Sequence, residues 1–336
     1  MKQFPAVSFV MPAFNTEKFI DESIGSIMRQ TVDNWELVIV NDGSTDRTAE
    51  IAQHYADTDT RITLHSLPAP TGSAYQPRRH AILNTANRLV APLDADDWIE
   101  PDYLEKLLLK MEETGADIVY PTMHYGDESE HTITPLDKEL YAGSHKGKEC
   151  VKLTLNGWRI NCNGGVIRKE CYTDTFSTFG SSLTYSCADE LLSRQLLFMT
   201  PTVAFSPAKY FYRPNCDSIT RKKSAKLFDF ILNNRTLLQF TRDNFGENSE
   251  EYILAQQQNF HGIFNALRLL NKYKFSTRDK DYALTLIEKS RKLVDEPLLS
   301  PHVSPRYMAL LRRGVPQTKM ALMIADSFRN LINKRI

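Results

Sequence analysis

The stretch Leu37-Val38-Ile39-Val40-Asn41-Asp42-Gly43-Ser44-Thr45-Asp46 decides the fold. Its first half is a short unbroken apolar run, the pattern of a strand buried on both faces. Its second half is turn chemistry: Asn41-Asp42-Gly43 ends the run, and Ser44 to Tyr55 takes up helical spacing. On the N-terminal side, Ala6-Val7-Ser8-Phe9-Val10-Met11 is another such run, closed by Pro12. Between the two, Phe19, Ile20, Ile24, Ile27 and Met28 recur at helical spacing from about Thr16 to Arg29. On the C-terminal side, strands are predicted at Arg61 to His65, Val90 to Leu93 and Asp117 to Tyr120. Helices are predicted at Arg78 to Asn87 and Pro101 to Glu113. Strands that alternate with helices imply a mostly parallel sheet covered on both faces, with ligands bound beyond the carboxyl ends of its strands.

The rest of the chain has a different texture. From about Tyr120 to Tyr212 glycine, serine and cysteine become common and the predicted strands are short. Beyond Arg221 the reading is helical, at Ala225 to Phe245, Glu250 to Tyr273 and Arg278 to Leu293, with two shorter runs after Pro297, Pro301 and Pro305. This gives three regions: residues 1–120, 121–220 and a helical 221–336. The 336 residues fit about two domains. Lys+Arg and Asp+Glu both number 41, a balance that argues against a dedicated nucleic-acid binder. The five cysteines form no C-x-x-C pair, so reduced thiols are a simpler reading than zinc or disulfides. Without an apolar leader or a run of about 20 apolar residues, the expected location is cytoplasmic, with the inner face of the membrane as the alternative.

Three acidic features stand where chemistry is expected. Asp42 ends the second strand, Asp94-Ala95-Asp96-Asp97 follows the fourth, and Asp189 opens a helix after a polar stretch. Alternate carboxylates at a strand end present oxygens to a hard divalent cation, which shares them with substrate phosphates. Each feature also has a structural reading. Asp94 to Asp97 reads as a solvated turn before Pro101. Asn-Asp-Gly-Ser-Thr is good turn and N-cap chemistry, and Asp189 suits a helix N-terminus.

Taken in order, these segments resemble the family 2 glycosyltransferases of the GT-A fold. The resemblance is carried by Val7 to Asn15, by Leu37 to Asp46, by Leu93-Asp94-Ala95-Asp96-Asp97, and by Ser23 to Thr31 with its terminal Gln30-Thr31 pair. It covers about residues 5–220. It implies a GT-A α/β fold with a C-terminal helical extension, and inverting transfer from a nucleotide sugar, usually a UDP-sugar. The acceptor would be a hydroxyl of a glycan, a teichoic-acid-like polymer or a lipid-linked molecule. Pro12, Ala13, Phe14 and Asn15 would line the donor site and Asp42 would accept from the base edge. Arg78 would contact diphosphate or base, and Asp94 and Ala95 the ribose region. Asp96, with Asp94, would hold Mn2+ or Mg2+, and Asp97 would orient its neighbours. Asp189 would be the general base.

There are departures. Gly72 to Ala81 replaces the usual Ala-Arg-Asn-x-Gly segment, and its Pro77-Arg78 pair is similar to wall teichoic acid glycosyltransferases. Ala188 stands where Glu is usual before the base, with Glu190 as a compensating carboxylate. The Q-x-x-R-W motif of processive members is absent, so one sugar is added per encounter. Tyr212 to Thr220 resembles a segment that closes the active site, with Arg213 or Ser218 at the diphosphate. Trp158 reads as a core residue or a sugar platform, and Gly164-Gly165 as room for an acceptor. The competing functions are a sugar nucleotidyltransferase and a catalytically inactive assembly or binding subunit. The former is disfavoured by Pro12-Ala13-Phe14-Asn15 in place of a Gly-rich phosphate loop. In the tail, Met320, Met323, Ile324, Phe328, Leu331 and Ile332 form an apolar stripe among basic residues. Packing on the chain's own helices, homo-oligomer contacts and peripheral membrane contact all fit it.

Overall fold

The computed structural model describes residues 3–126, 131–133, 137–155, 163–180, 183, 185–213 and 224–323. Trp158, Ser218 and the tail beyond Met323 lie outside the described residues. The chain forms two compact units, one of residues 1–184 and 188–215, the other of 185–187 and 216–336.

The first unit opens with β1 (Val7–Ala13), α1 (Ile20–Met28), β2 (Trp35–Asn41), α2 (Thr48–Thr58), β3 (Ile62–Ser66), α3 (Tyr75–Leu83) and β4 (Leu89–Pro92). It continues with β5 (Trp98–Ile99), α4 (Tyr103–Thr114), β6 (Ile118–Gly126), β7 (His131–Ile133), β8 (His145–Lys146) and α5 (Gly147–Leu155). After these come β9 (Val166–Arg168), α6 (Lys169–Phe179), α7 (Ala188–Met199) and β10 (Thr202–Tyr212). The sheet order is β3-β2-β1-β4-β9-β6-β10-β5, with β7 on β6 and β8 on β10. Strands β3, β2, β1 and β4 are all parallel, and β9 joins them antiparallel to β6, which pairs parallel with β10. The all-apolar reading of the first two strands holds because β1 is central: every residue of it is buried. Phe9, Leu37, Ile39 and Ala91 pack there with Ile24 and Ile27 of α1 and Leu104 and Leu107 of α4.

Several expectations change. The first strand runs through Pro12 to Ala13, because β4 pairs with it only as far as Val10 and asks nothing of the missing Pro12 amide. Helix α2 starts at Thr48, since Ser44 to Arg47 bond instead to the segment after β1. Helix α3 starts at Tyr75, with Pro77 in its first turn where no amide is needed. The middle region holds the expected short strands, β7, β8 and β9, together with two long ones, nine residues in β6 and eleven in β10.

The second unit is helical: α8 (Asp229–Phe245), α9 (Glu250–Lys272), α10 (Thr277–Arg291), α11 (Glu296–Leu299) and α12 (Pro305–Arg312). Ser249 and Ser276 cap α9 and α10 by accepting from Tyr252 N and Asp279 N. Its core joins Phe260, Phe264 and Leu267 to Ile287, Met308, Leu311, Val315 and Leu322. Of the apolar stripe expected in the tail, the described members Met320 and Met323 are both exposed. Among the described residues no helix is long and apolar enough to cross a membrane.

Candidate active site

The parallel strands direct their carboxyl ends to one edge, and the order turns at β1, with β2 on one side and the later β4 on the other. A crevice for a ligand is expected there. Past β1, Asn15 adopts a left-handed φ of 51°. It is held by reciprocal bonds: its amide donates to Ser44 Oγ (3.1 Å), and its Oδ1 accepts from Thr45 N (2.8 Å). Thr16 N donates to Thr48 Oγ1 and Glu17 N to Asp46 Oδ2, so the loops after β1 and β2 are fixed as one piece. Pro12 and Ala13 are buried in this edge, and Phe14 and Asn15 are half-buried.

Asp42 is buried, its amide on Ala13 O (2.8 Å). Its carboxylate accepts from Thr71 N and from Thr71 Oγ1, both 2.9 Å. Thr71 had no signal in the sequence beyond lying in the turn before α3.

The acidic turn after β4 is braced on several sides. Ser23 Oγ donates to Ala95 O (2.9 Å) and to Asp97 O (2.6 Å), and Gln30 spans from Glu100 O to Leu104 N. That explains why a polar face on α1 is buried: it holds the turn. Asp97 accepts from Tyr210 Oη (2.7 Å) and Arg213 N (2.8 Å). Burial pushes its carboxyl well above the ordinary range, and the neighbouring Asp96 and Asp94 charges push it further. Asp94 accepts from Arg78 Nη2 on one oxygen (2.5 Å) and from Asn163 Nδ2 on the other (3.0 Å). Arg78 is wholly buried, so its charge acts undiluted by solvent. Asp96 is half-buried, and its carbonyl accepts from Arg213 Nε (3.1 Å). Arg213 also pairs with Glu22 and lies 4.5 Å from the Trp98 ring centroid. Its guanidinium is thus engaged with the acidic turn and α1.

Asp189 lies in the first turn of α7, half-buried and with residual access to solvent. Burial raises its carboxyl above the ordinary 3.8; Arg78 pulls it back, Asp94 adds to the rise, and a hydrogen bond from Asn163 lowers it slightly. The structure therefore joins Arg78 to Asp94, with Asp189 linked to the pair through Asn163 and within reach of their charges. Glu190 lies near Arg194 one turn along α7, at 3.7 Å. Among the described residues no group of three His, Cys, Asp or Glu side chains is arranged to hold a metal on its own.

Residues 8–173 match the model described as glycosyl transferase family 2. That segment is a family 2 glycosyltransferase domain. EpsH of Bacillus subtilis, named as a glycosyltransferase, is 28% identical over 284 residues, covering 81% of this chain and 78% of EpsH. TuaG of the same organism, named for glycosyl transfer in teichuronic acid biosynthesis, is 36% identical over 138 residues, covering 41% of this chain and 53% of TuaG. Among solved structures, residues 1–349 of Staphylococcus aureus TarS in complex with UDP-GlcNAc superpose with a TM-score of 0.67. That match is at 16% identity over 97% of this chain and 92% of the TarS chain, and it shares the mixed sheet with flanking helices.

Two partners of the acidic turn escaped the sequence reading. Tyr210 gave no signal, standing in a strand-like run. Asn163 stood beside Gly164-Gly165, which read as space for an acceptor. Both glycines are instead buried, with the Tyr210 ring and the Val119 carbonyl occupying the space where side chains would go.

Proposed function

We propose that this glycosyltransferase moves one sugar per encounter from a UDP-sugar to a hydroxyl of a glycan, a teichoic-acid-like polymer or a lipid-linked acceptor, with inversion. The observation that carries the reading is the meeting of Asp189 with Asp94 and Arg78 at the carboxyl edge of a family 2 fold. The UDP-GlcNAc bound by TarS supports a UDP-linked donor, and the naming of TuaG supports a cell-envelope polymer as acceptor.

In this reading Pro12, Ala13, Phe14 and Asn15 form the donor floor. Asp42, its carboxylate oriented by Thr71, accepts from the base edge. Arg78, Asp94 and Ala95 lie at the ribose and diphosphate. The acidic turn offers only oxygen donors, crowded enough that Asp94 and Asp96 both raise the Asp97 carboxyl. Such a set fits Mn2+ or Mg2+ held by one or two carboxylates, with diphosphate oxygens completing the shell. Asp96 is the leading ligand, because both Asp94 oxygens already accept from Arg78 and Asn163. When bound, the ion supplies positive charge to the leaving diphosphate. Asp189 takes the proton from the acceptor hydroxyl as it attacks the anomeric carbon, and a single displacement from the far side inverts it. The exposed Met320 and Met323 support self-association of the helical unit through its C-terminal face.

The test is UDP release from UDP-GlcNAc, UDP-Glc and UDP-Gal with Mn2+, followed together with melting temperature. Slow release from at least one donor is expected, along with a melting shift, because a ligand of the folded state stabilises it. Release should vanish in excess EDTA and in Asp96→Asn. Undiminished release in EDTA would remove the metal from the reading. No release and no shift with any donor would overturn the UDP-sugar assignment.

A further inference from the structure

We propose that Asn163 is a positioning residue that registers the base to the donor site, its one side-chain amide shared between Asp94 and Asp189. The inference rests on the glycosyltransferase reading above. Asn163 is 8% exposed, and its Nδ2 donates to Asp94 Oδ2 at 3.0 Å. The same side chain gives a hydrogen bond to Asp189. A primary amide carries two N–H groups, enough to give one to each carboxylate. The residue is uncharged, and it can stand between two like charges without adding to their repulsion.

Arg78 reaches the same pair differently. It bonds the other oxygen of Asp94 and acts on Asp189 through its charge. Charge favours the ionised form but does not set the direction of a carboxylate, whereas hydrogen bonds weaken steeply off-axis. Direction matters because a general base works only within hydrogen-bond reach of the proton it takes. A misplacement of about 1 Å can cost ~100-fold in rate.

The backbone that delivers Asn163 is itself fixed. A Cβ on Gly164 would come within 2.7 Å of the Tyr210 ring and 3.2 Å of Tyr103 Oη. Gly165 has a φ of +105°, and a Cβ there would lie 2.5 Å from Val119 O. The Gly165 amide donates to Tyr103 Oη at 2.6 Å. Only glycine approaches so closely in that conformation. Tyr210, packed against Gly164, also donates to Asp97 and accepts from Asp94 N (3.3 Å). One tyrosine therefore fixes both the backbone beside Asn163 and the turn that carries Asp94. Both partners of the amide are carboxylates that the proposed reaction uses, which a purely structural asparagine would not require.

Two experiments on the full chain test this. In a 15N-resolved spectrum, the Asn163 side-chain amide gives two proton signals, assigned by their loss in Asn163→Leu. Asp189→Asn should shift one of them and Asp94→Asn the other. Separately, Asn163→Leu should slow UDP release with Mn2+ by about 10- to 100-fold, with UDP affinity and donor KM held within about threefold. In the Asp189→Asn background it should cost almost nothing more, because a residue acting through the base has no effect once the base is gone. Amide signals indifferent to Asp189→Asn, or losses that multiply in the double variant, would overturn the inference. If Asp189→Asn itself keeps the parent rate, the base assignment fails instead, and the spectrum still decides whether Asn163 bridges the two carboxylates.

Discussion

Asp189→Asn exchanges an oxygen for a nitrogen and removes one charge, so shape is nearly conserved while both proton affinity and electrostatics change. A general base typically contributes about 100- to 10,000-fold. At about 1.36 kcal/mol per tenfold, the barrier should rise by ~2.7 to 5.5 kcal/mol. The stability effect has the opposite sense. The Asp189 carboxyl is raised above 3.8 in the folded chain: burial outweighs the pull of Arg78, of its own helix backbone and of Asn163. A carboxyl raised on folding favours the folded state at low pH. That contribution is lost as pH climbs from 3.8 through the raised value, and at neutral pH the ionised group is a net cost to the fold. Asparagine carries no such cost. The variant should therefore lose its rate and melt higher than the parent at neutral pH, with the difference shrinking towards zero below pH 3.8.

The assay pairs UDP release from the best donor with melting curves across that pH range, and UDP binding as a control for the donor site. A variant that melts lower at neutral pH would show that the charge is stabilising and that the burial argument is wrong. One that keeps its rate but loses UDP would move Asp189 from the acceptor side to the donor side.

Two further outcomes follow from packing. Gly147→Ala places a Cβ 2.3 Å from Thr200 O and 2.4 Å from Leu197 O, both backbone atoms that cannot swing away. The cost should be about 1 to 3 kcal/mol, read as a lower midpoint in urea, and an unchanged midpoint would mean that α5 slides freely. Replacing the exposed Met320 and Met323 together by Ser leaves Met308, Leu311, Val315 and Leu322 in the helical core. It should lower the mass seen by light scattering while leaving UDP release unchanged, and an unaltered mass would place any self-association elsewhere.

The sequence discloses most where structure is local. Leu37 to Asp46 carries its strand in an apolar run and its turn in Asn-Asp-Gly, so a window of ten residues suffices. The sequence pattern places the start of the third helix at Arg78, three residues after Tyr75, because Pro77 looks like a barrier, although a first-turn proline breaks no helical hydrogen bond. The long β10 was obscured by its own irregularity: Ser206 and Pro207 interrupt the apolar run where the register with β6 shifts between Phe205 and Lys209. Asn163 was out of reach for a different reason. Its partner Asp94 is 69 residues away, and nothing in Asn-Gly-Gly indicates which distant carboxylate the side chain will meet.

That difference follows the two parts of the sheet. The proposed donor side is built from consecutive β-α units, whose strand ends are fixed by neighbours in sequence. The proposed catalytic side depends on β9, which enters antiparallel between β4 and β6 and carries the Asn163 segment to the acidic turn. The three carboxylates of that turn are set apart by what reaches them from elsewhere in the fold. Asp97 is anchored by Tyr210 and Arg213 N from β10 and its end, and Asp94 by Arg78 from α3 and by Asn163. Asp96 gives its carbonyl to Arg213 and is itself half-buried. Identical side chains thus acquire different surroundings from position alone. For the same reason, a substitution at Tyr210 or Asn163 alters the setting of the acidic turn without touching any residue of the motif itself.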